Sequence, residues 1–247
     1  MDKYYYCDLL DKNKIPKDCI EFDCYNNNLT ELPILPNRLE ILYCYNNNLT
    51  ELPILPNRLE ILYCYNNKLI ELPLLPQSLE YLDCSYNKLI VLPILPLLLI
   101  TLYCYNNNLT ELPILPNGLE ILKCYDNNLI EIPILSELLI ILYCYWNNII
   151  ELPILPELLK KLDCNDNKLL DLPLLPQSLK ELNCSYNKLI ELPILPNGLE
   201  KLDCYNNNIK YLLPENINII KRIICNIMDN PLTINFTDNK EFINSLQ

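Results

Sequence analysis

One interval governs this chain. Cysteine recurs every 20 residues, at Cys24, Cys44, Cys64, Cys84, Cys104, Cys124, Cys144, Cys164, Cys184 and Cys204, and asparagine keeps the same step from Asn27 through Asn47 and onward to Asn207. A unit that short is one supersecondary element, too small to enclose a core alone. It buries its apolar face only by stacking on its neighbours, so the chain must be a solenoid.

The internal order of the unit predicts its local structure. The stretch Leu39-Glu40-Ile41-Leu42-Tyr43-Cys44-Tyr45-Asn46-Asn47-Asn48-Leu49 reads L-x-x-L-x-C-x-x-N-x-L, the strand segment of a leucine-rich repeat. Strand alternation puts Leu42 and Cys44 on one face and Tyr43 and Tyr45 on the other. Stacked copies give a parallel sheet buried on one side. The Asn47 amide sits where the chain leaves the strand and can both donate to and accept from backbone groups buried in the turn. Leu49, Leu52 and Leu55 return to fill the interior. Pro53 and Pro56 forbid a regular helix in the returning arm and favour an extended, polyproline-like path. The fold class expected is an α/β-class repeat solenoid: a leucine-rich-repeat horseshoe with a concave parallel β-sheet, extended convex arms and little helix.

The run Glu51-Leu52-Pro53-Ile54-Leu55-Pro56 followed by Leu59-x-x-Leu62 resembles the short, 20-residue leucine-rich repeats of bacterial type III effectors, and similar units occur in proteins of amoeba-infecting giant viruses. The resemblance spans roughly residues 15 to 232. It implies a solenoid used to bind proteins, often those of a host. Effectors of this type that act as ubiquitin ligases carry a separate C-terminal catalytic domain, and nothing after Leu232 fits one.

The ends depart from the period. Residues 1–19 read as an N-terminal cap leading into a degenerate first unit, with Phe22 in a leucine slot. Residues 20–232 form the solenoid. Beyond Asn207 the next ladder asparagine is Asn230, 23 residues on. Residues 233–247 read as a C-terminal cap, with a short helix begun by Asp238 and Glu241 three residues later.

Several functions are disfavoured. A net charge of −12 suits neither a phosphate backbone nor an anionic membrane surface, so nucleic acid and membrane are not expected partners. The polar, aromatic start shows no secretory leader, which points to a cytoplasmic, intracellular chain, in a host cell if the effector resemblance holds. The sequons at Asn28, Asn48, Asn108 and Asn235 would matter only in a secreted protein. Neighbouring cysteines on one sheet face would stand about 4.8 Å apart with parallel Cβ vectors, whereas a disulfide wants about 3.8 Å and converging ones. A straight row cannot close a tetrahedron around zinc, and the chain has no histidine. The cysteines therefore read as small core hydrophobes, free of metal and of any cofactor. Cys-x-Asp, the arrangement those ligases use, occurs at Cys124-Tyr125-Asp126 and Cys164-Asn165-Asp166, but an interior thiol stays protonated and inert. No catalytic residue is assigned. The acidic column Glu31, Glu51, Glu71, Glu111, Glu131, Glu151 and Glu191 reads as a solvated belt, with a basic partner the rarer use.

The register leaves one face for recognition. Its first column runs Asp23, Tyr43, Tyr63, Asp83, Tyr103, Lys123, Tyr143, Asp163, Asn183, Asp203. The second runs Tyr25, Tyr45, Tyr65, Ser85, Tyr105, Tyr125, Tyr145, Asn165, Ser185, Tyr205. Tyrosine dominates up to Trp146, the sole tryptophan, and charged and small residues follow from Lys161. Aromatic residues of this kind supply interface anchors. Tyr43, Tyr45, Tyr63, Tyr65, Tyr103, Tyr105, Tyr125, Tyr143, Tyr145 and Trp146 are thus the candidate contacts for a protein or peptide partner. Rings on adjacent strands can equally stack on one another for stability alone. Self-association into a homo-oligomer, or a recognition module parted from a ligase domain, are the rival readings.

Overall fold

The computed structural model describes Tyr5–Tyr6 and residues 15–232. The helix expected at Asp238 and the terminal cap as a whole fall outside those residues. The chain divides into two compact units, Met1–Asn128 and Leu129–Gln247.

The first unit contains β1 (Tyr5–Tyr6), β2 (Glu21–Asp23), β3 (Ile41–Tyr43), β4 (Ile61–Tyr63), β5 (Tyr81–Asp83), β6 (Thr101–Tyr103) and β7 (Ile121–Lys123). All are parallel and adjacent in chain order, in one unbroken register: Phe22 faces Leu42, Leu42 faces Leu62, Leu62 faces Leu82, Leu82 faces Leu102 and Leu102 faces Leu122. The second unit holds β8 (Ile141–Tyr143), β9 (Lys161–Asp163), β10 (Glu181–Asn183), β11 (Lys201–Asp203) and β12 (Ile224–Asn226), paired in the same way. A period of 20 permits no other register, because a slip by one residue would turn every leucine outward.

Within each regular turn the central strand leucine and the cysteine two places on are buried, as in Leu42 and Cys44 at 0% exposure. Leu49, Leu52, Leu55 and Leu59 close the same interior. Phe22, fully buried, occupies the leucine slot of the first described turn. The returning arm forms neither helix nor strand and ends in a tight turn, where the Leu59 N–H donates to the Pro56 carbonyl at 3.1 Å.

The asparagine ladder binds one turn to the next. Asn67 accepts the N–H of Leu49 at 3.0 Å and donates through Nδ2 to the carbonyls of Cys44 at 3.0 Å and Cys64 at 3.1 Å. A single amide thus serves backbone groups of two successive turns that would otherwise be buried unpaired. No buried side-chain nitrogen or oxygen among the described residues lacks a partner.

The change of period near the end has a structural cause that the sequence pattern did not reveal. Helix α1 (Pro214–Ile220) replaces an extended arm. Its buried Asn216 accepts the Leu195 N–H at 2.8 Å and donates to the Pro193 carbonyl at 2.9 Å. Asn230 then resumes the ladder, accepting from Ile209 at 3.0 Å and donating to the Cys204 carbonyl at 2.9 Å.

Candidate functional site

The two outward columns lie where alternation places them, and the rings use the strand spacing. In the first unit Tyr25, Tyr45 and Tyr65 form a stack, with centroids 4.9 Å and then 4.5 Å apart and planes within 12°. Tyr43 stacks on Tyr63 at 5.2 Å, and Tyr105 on Tyr125 at 4.2 Å. These distances match the ~4.8 Å between strands, so the rings stabilise the sheet edge to edge while keeping their outer edges in solvent. Each such pair contributes about 0.5–1.5 kcal/mol beyond its buried area. Tyr81, absent from the candidate set, joins the same surface between Tyr63 at 4.7 Å and Tyr103 at 5.6 Å.

Packing changes the acidity of these groups. Burial among its neighbours, followed by the proximity of Tyr45 and Asp83, pushes the Tyr65 hydroxyl up to about 12. The Tyr43 hydroxyl moves the same way, chiefly through burial. These phenols are neutral at any physiological pH.

One position in every turn has a left-handed backbone. It holds Asn26, Asn46, Asn66, Asn106 and Asp126 in the first unit and Asp166, Asn206 and Asp229 in the second, with φ between 49° and 55°. Asn and Asp tolerate this region; bulky residues do so at a cost of about 1–2 kcal/mol. Tyr86, Trp146 and Tyr186 nevertheless occupy it at φ near 52° and are about half exposed. Strain of this sort concentrates where a side chain serves recognition. Trp146 stands edge-on to Tyr145 at 5.5 Å. Tyr86 and Tyr186 were not in the candidate set, although the sequence carries the signal: an aromatic breaks the Asn/Asp column directly before the ladder asparagine.

The charged zone also exists as read. In the second unit Lys161 pairs with Glu181 at 2.8 Å, and these two with Tyr143, Asp163, Asn183 and Lys201 line a small recess of about 70 Å³. Burial raises the Asp163 carboxyl, opposed by hydrogen bonds from Asn165.

A further exposed feature lies on the arms. Ile34, Ile54, Leu74, Ile94 and Ile114 in the first unit, and Ile134, Ile154, Leu174 and Ile194 in the second, are between 60% and 93% exposed. The exposed aliphatic residue directly follows the first proline of each arm, beside the interior leucine that the repeat pattern marks.

The cysteines supply no nucleophile on the ladder. All ten ladder thiols are buried and unbridged. Burial raises Cys124 to about 12 and pushes Cys164 well above its ordinary value. The two Cys-x-Asp pairs therefore combine an inert thiol with an aspartate held in the left-handed turn position. Cys225 differs: it is half-buried, and a hydrogen bond from the Cys204 thiol lowers it. Among the described residues no group of three metal-ligating side chains converges, and no helix is long and apolar enough to cross a membrane.

Parallel strands every 20 residues, a cysteine column and an asparagine ladder define the class: the chain belongs to the leucine-rich-repeat proteins. It is similar to YopM from Yersinia enterocolitica WA-314, at 38% identity and a TM-score of 0.84, over 89% of this chain and 49% of that one. It is similar also to YopM of Yersinia pestis, a leucine-rich effector protein, at 35% identity and a TM-score of 0.72, over 87% of this chain and 67% of that one. InlJ of Listeria monocytogenes, whose functional domain includes a cysteine ladder, matches at 26% identity and a TM-score of 0.74, over 88% and 55%. The chain spans about half the length of the first and third of these. No family model matches the chain, and no curated protein matches its sequence.

Proposed function

We propose that the protein is a non-catalytic scaffold that recognises a protein or peptide partner through its tyrosine-rich sheet face. The observation that carries this reading is the aromatic surface itself. Tyr43, Tyr45, Tyr63, Tyr65, Tyr103, Tyr105 and Tyr125 share one face of the first unit, and Tyr143, Tyr145 and Trp146 share one face of the second, with Tyr86 and Trp146 held outward by a strained backbone. Stacked rings are already ordered, so a partner that docks on them loses little side-chain entropy. The likeness to effector proteins of Yersinia supports a host protein as the partner. An acidic chain and unbridged cysteines support a reducing, cytoplasmic setting away from nucleic acid and membranes.

The test is affinity capture from host-cell lysate with wild type and a variant carrying Tyr45, Tyr65, Tyr105 and Tyr145 changed to Ser, its fold checked by circular dichroism. Partners retained by the wild type should be lost from the variant. Equal recovery by a folded variant would end this reading.

A second reading, self-association, draws on the exposed aliphatic row of the arms. Light scattering over a concentration series separates the two, because only self-assembly changes the measured mass with concentration.

A further inference from the structure

In the first unit the tyrosine column is interrupted once. Tyr25, Tyr45 and Tyr65 stack in sequence, but the next member is Ser85, fully buried, and the rings resume at Tyr105 and Tyr125. The missing ring leaves an open recess of about 600 Å³ lined by Asn46, Tyr63, Tyr65, Asn66, Asp83, Tyr86 and Tyr105. Tyr65 and Tyr105 stand two strand spacings apart, about 9–10 Å. That separation admits one planar group in contact with a ring on either side. Tyr86, in its left-handed backbone position, meets Tyr105 edge-on at 5.3 Å and forms a further wall.

The floor is a carboxylate. Asp83 is 7% exposed, and its Oδ1 accepts the Ser85 N–H at 3.1 Å and the Ser85 hydroxyl at 2.5 Å. Burial of a charge is unfavourable unless an opposite charge accompanies it, and burial raises this carboxyl in spite of both bonds and of Lys123. The fold does not require that charge. The second unit repeats the same local sequence as Asn183-Cys184-Ser185-Tyr186-Asn187, where Asn183 Oδ1 accepts the Ser185 N–H at 3.2 Å and its hydroxyl at 2.6 Å. A neutral amide performs the structural task there. The turn accepts either a neutral amide or an aspartate, as also at Asp23, Asp163 and Asp203; what sets Asp83 apart is its burial beneath the open recess, with Lys123 the cation that already acts on it.

The same face already holds one cation on a ring: Lys123 Nζ lies 4.2 Å from the centre of Tyr103. Aromatic walls around a carboxylate attract cations through both the ring quadrupole and the full charge. A guanidinium fits best, because it is flat enough to stack and can offer paired N–H donors to a carboxylate.

We propose that the recess over Asp83 is a receptor site for a single cationic side chain of a polypeptide partner, arginine in preference to lysine. The assignment rests on the tyrosine face being a docking surface and specifies the chemistry that the surface reads.

The probe is N-acetyl-arginine methylamide, titrated into the full chain and followed by NMR at the backbone amides of Ser85 and Tyr86. Saturable shifts with a Kd on the order of 1–10 mM are expected for one side chain alone. The citrulline analogue, isosteric and uncharged, should bind at least about tenfold more weakly, and Asp83→Asn, which copies the arrangement at Asn183, should lose a similar factor for arginine. Ser85→Tyr, which fills the gap, should abolish binding. Equal binding of arginine and citrulline, an unchanged Kd in Asp83→Asn, or no saturable shift would overturn the proposal. The broader reading fails separately: a partner captured equally by the four-tyrosine variant sinks the docking face even if arginine saturates the recess. A partner lost from that variant keeps the face even if arginine does not bind.

Discussion

Replacing Asn107 by alanine tests the ladder at a point where its bonds can be counted. The Asn107 amide accepts the Leu89 N–H at 3.0 Å and donates to the carbonyls of Cys84 at 3.1 Å, Cys104 at 3.1 Å and Tyr105 at 3.2 Å. The carbonyls have other donors. Cys84 O also receives Asn87 Nδ2, Cys104 O receives Asn127 Nδ2, and Tyr105 O receives the Tyr86 N–H. Leu89, fully buried, has none, so its N–H alone is orphaned. An unsatisfied buried donor costs about 1–3 kcal/mol, and the weakened carbonyl bonds add a smaller amount, for a total of about 2–3 kcal/mol. Asn27→Ala is the control: Asn27 is exposed, and among the described residues its side chain donates only to the Tyr25 carbonyl at 2.8 Å, so its loss should stay within about 0.5 kcal/mol. Urea unfolding of both variants gives the totals. Because long repeat arrays need not unfold in two states, hydrogen exchange at Leu89 gives the local value. Equal destabilisation by the two changes, or a Leu89 amide that exchanges no faster in Asn107→Ala, would show that the ladder does not act through the orphaned donor.

Other measurements probe the remaining layers. Leu102→Ala, at a fully buried strand position, should lose about 2–5 kcal/mol in denaturant titration. Trp146→Asn should relieve a left-handed backbone and leave stability unchanged or raised by up to about 1 kcal/mol, while reducing partner recovery in the capture assay; a clear loss of stability would mean that the indole packs rather than recognises. In thiol titration of the native protein, the half-buried Cys225 should react before any ladder cysteine, and simultaneous reaction would refute the burial assigned to the column. Cys124 holds its proton up to about 12 when folded, against about 9 ordinarily, so its contribution is complete below the ordinary value and is lost as pH climbs from there through the folded one. Thermal unfolding between pH 7 and 10.5 should therefore show falling stability at the alkaline end, with a shallower slope in Cys124→Ala.

The architecture was readable because the repeat is nearly pure. One period set the register, the register set which side chains face inward, and Pro53 and Pro56 with their counterparts kept helix out of the arms. Past the lapse of the period Asn230 was still readable as a ladder amide, but nothing in Leu213-Pro214-Glu215-Asn216 marks Asn216 as a substitute one, because its partners Leu195 and Pro193 are found only by folding. The site was half legible. Alternation placed the tyrosines correctly, but the recess is defined by a missing ring, and Ser85 among tyrosines reads as noise until Tyr65 and Tyr105 stand across from each other. Tyr86 and Tyr186 show in the sequence only as aromatics in an otherwise Asn/Asp column; the positive φ that makes the position unusual belongs to the backbone path.

The asparagine bonds also bear on how such a chain changes over generations. Each amide takes its backbone partner from the preceding coil, 18 or 23 positions earlier, so the smallest segment that can be excised or copied without orphaning a buried donor is one whole period. Recombination between like segments of the coding sequence produces that outcome by default, since misaligned copies pair in steps of one period. Every such event lengthens or shortens the stack by about 4.8 Å and leaves each new junction chemically identical to the old. Array length is then free to vary by whole periods, while the bonding within every coil stays fixed.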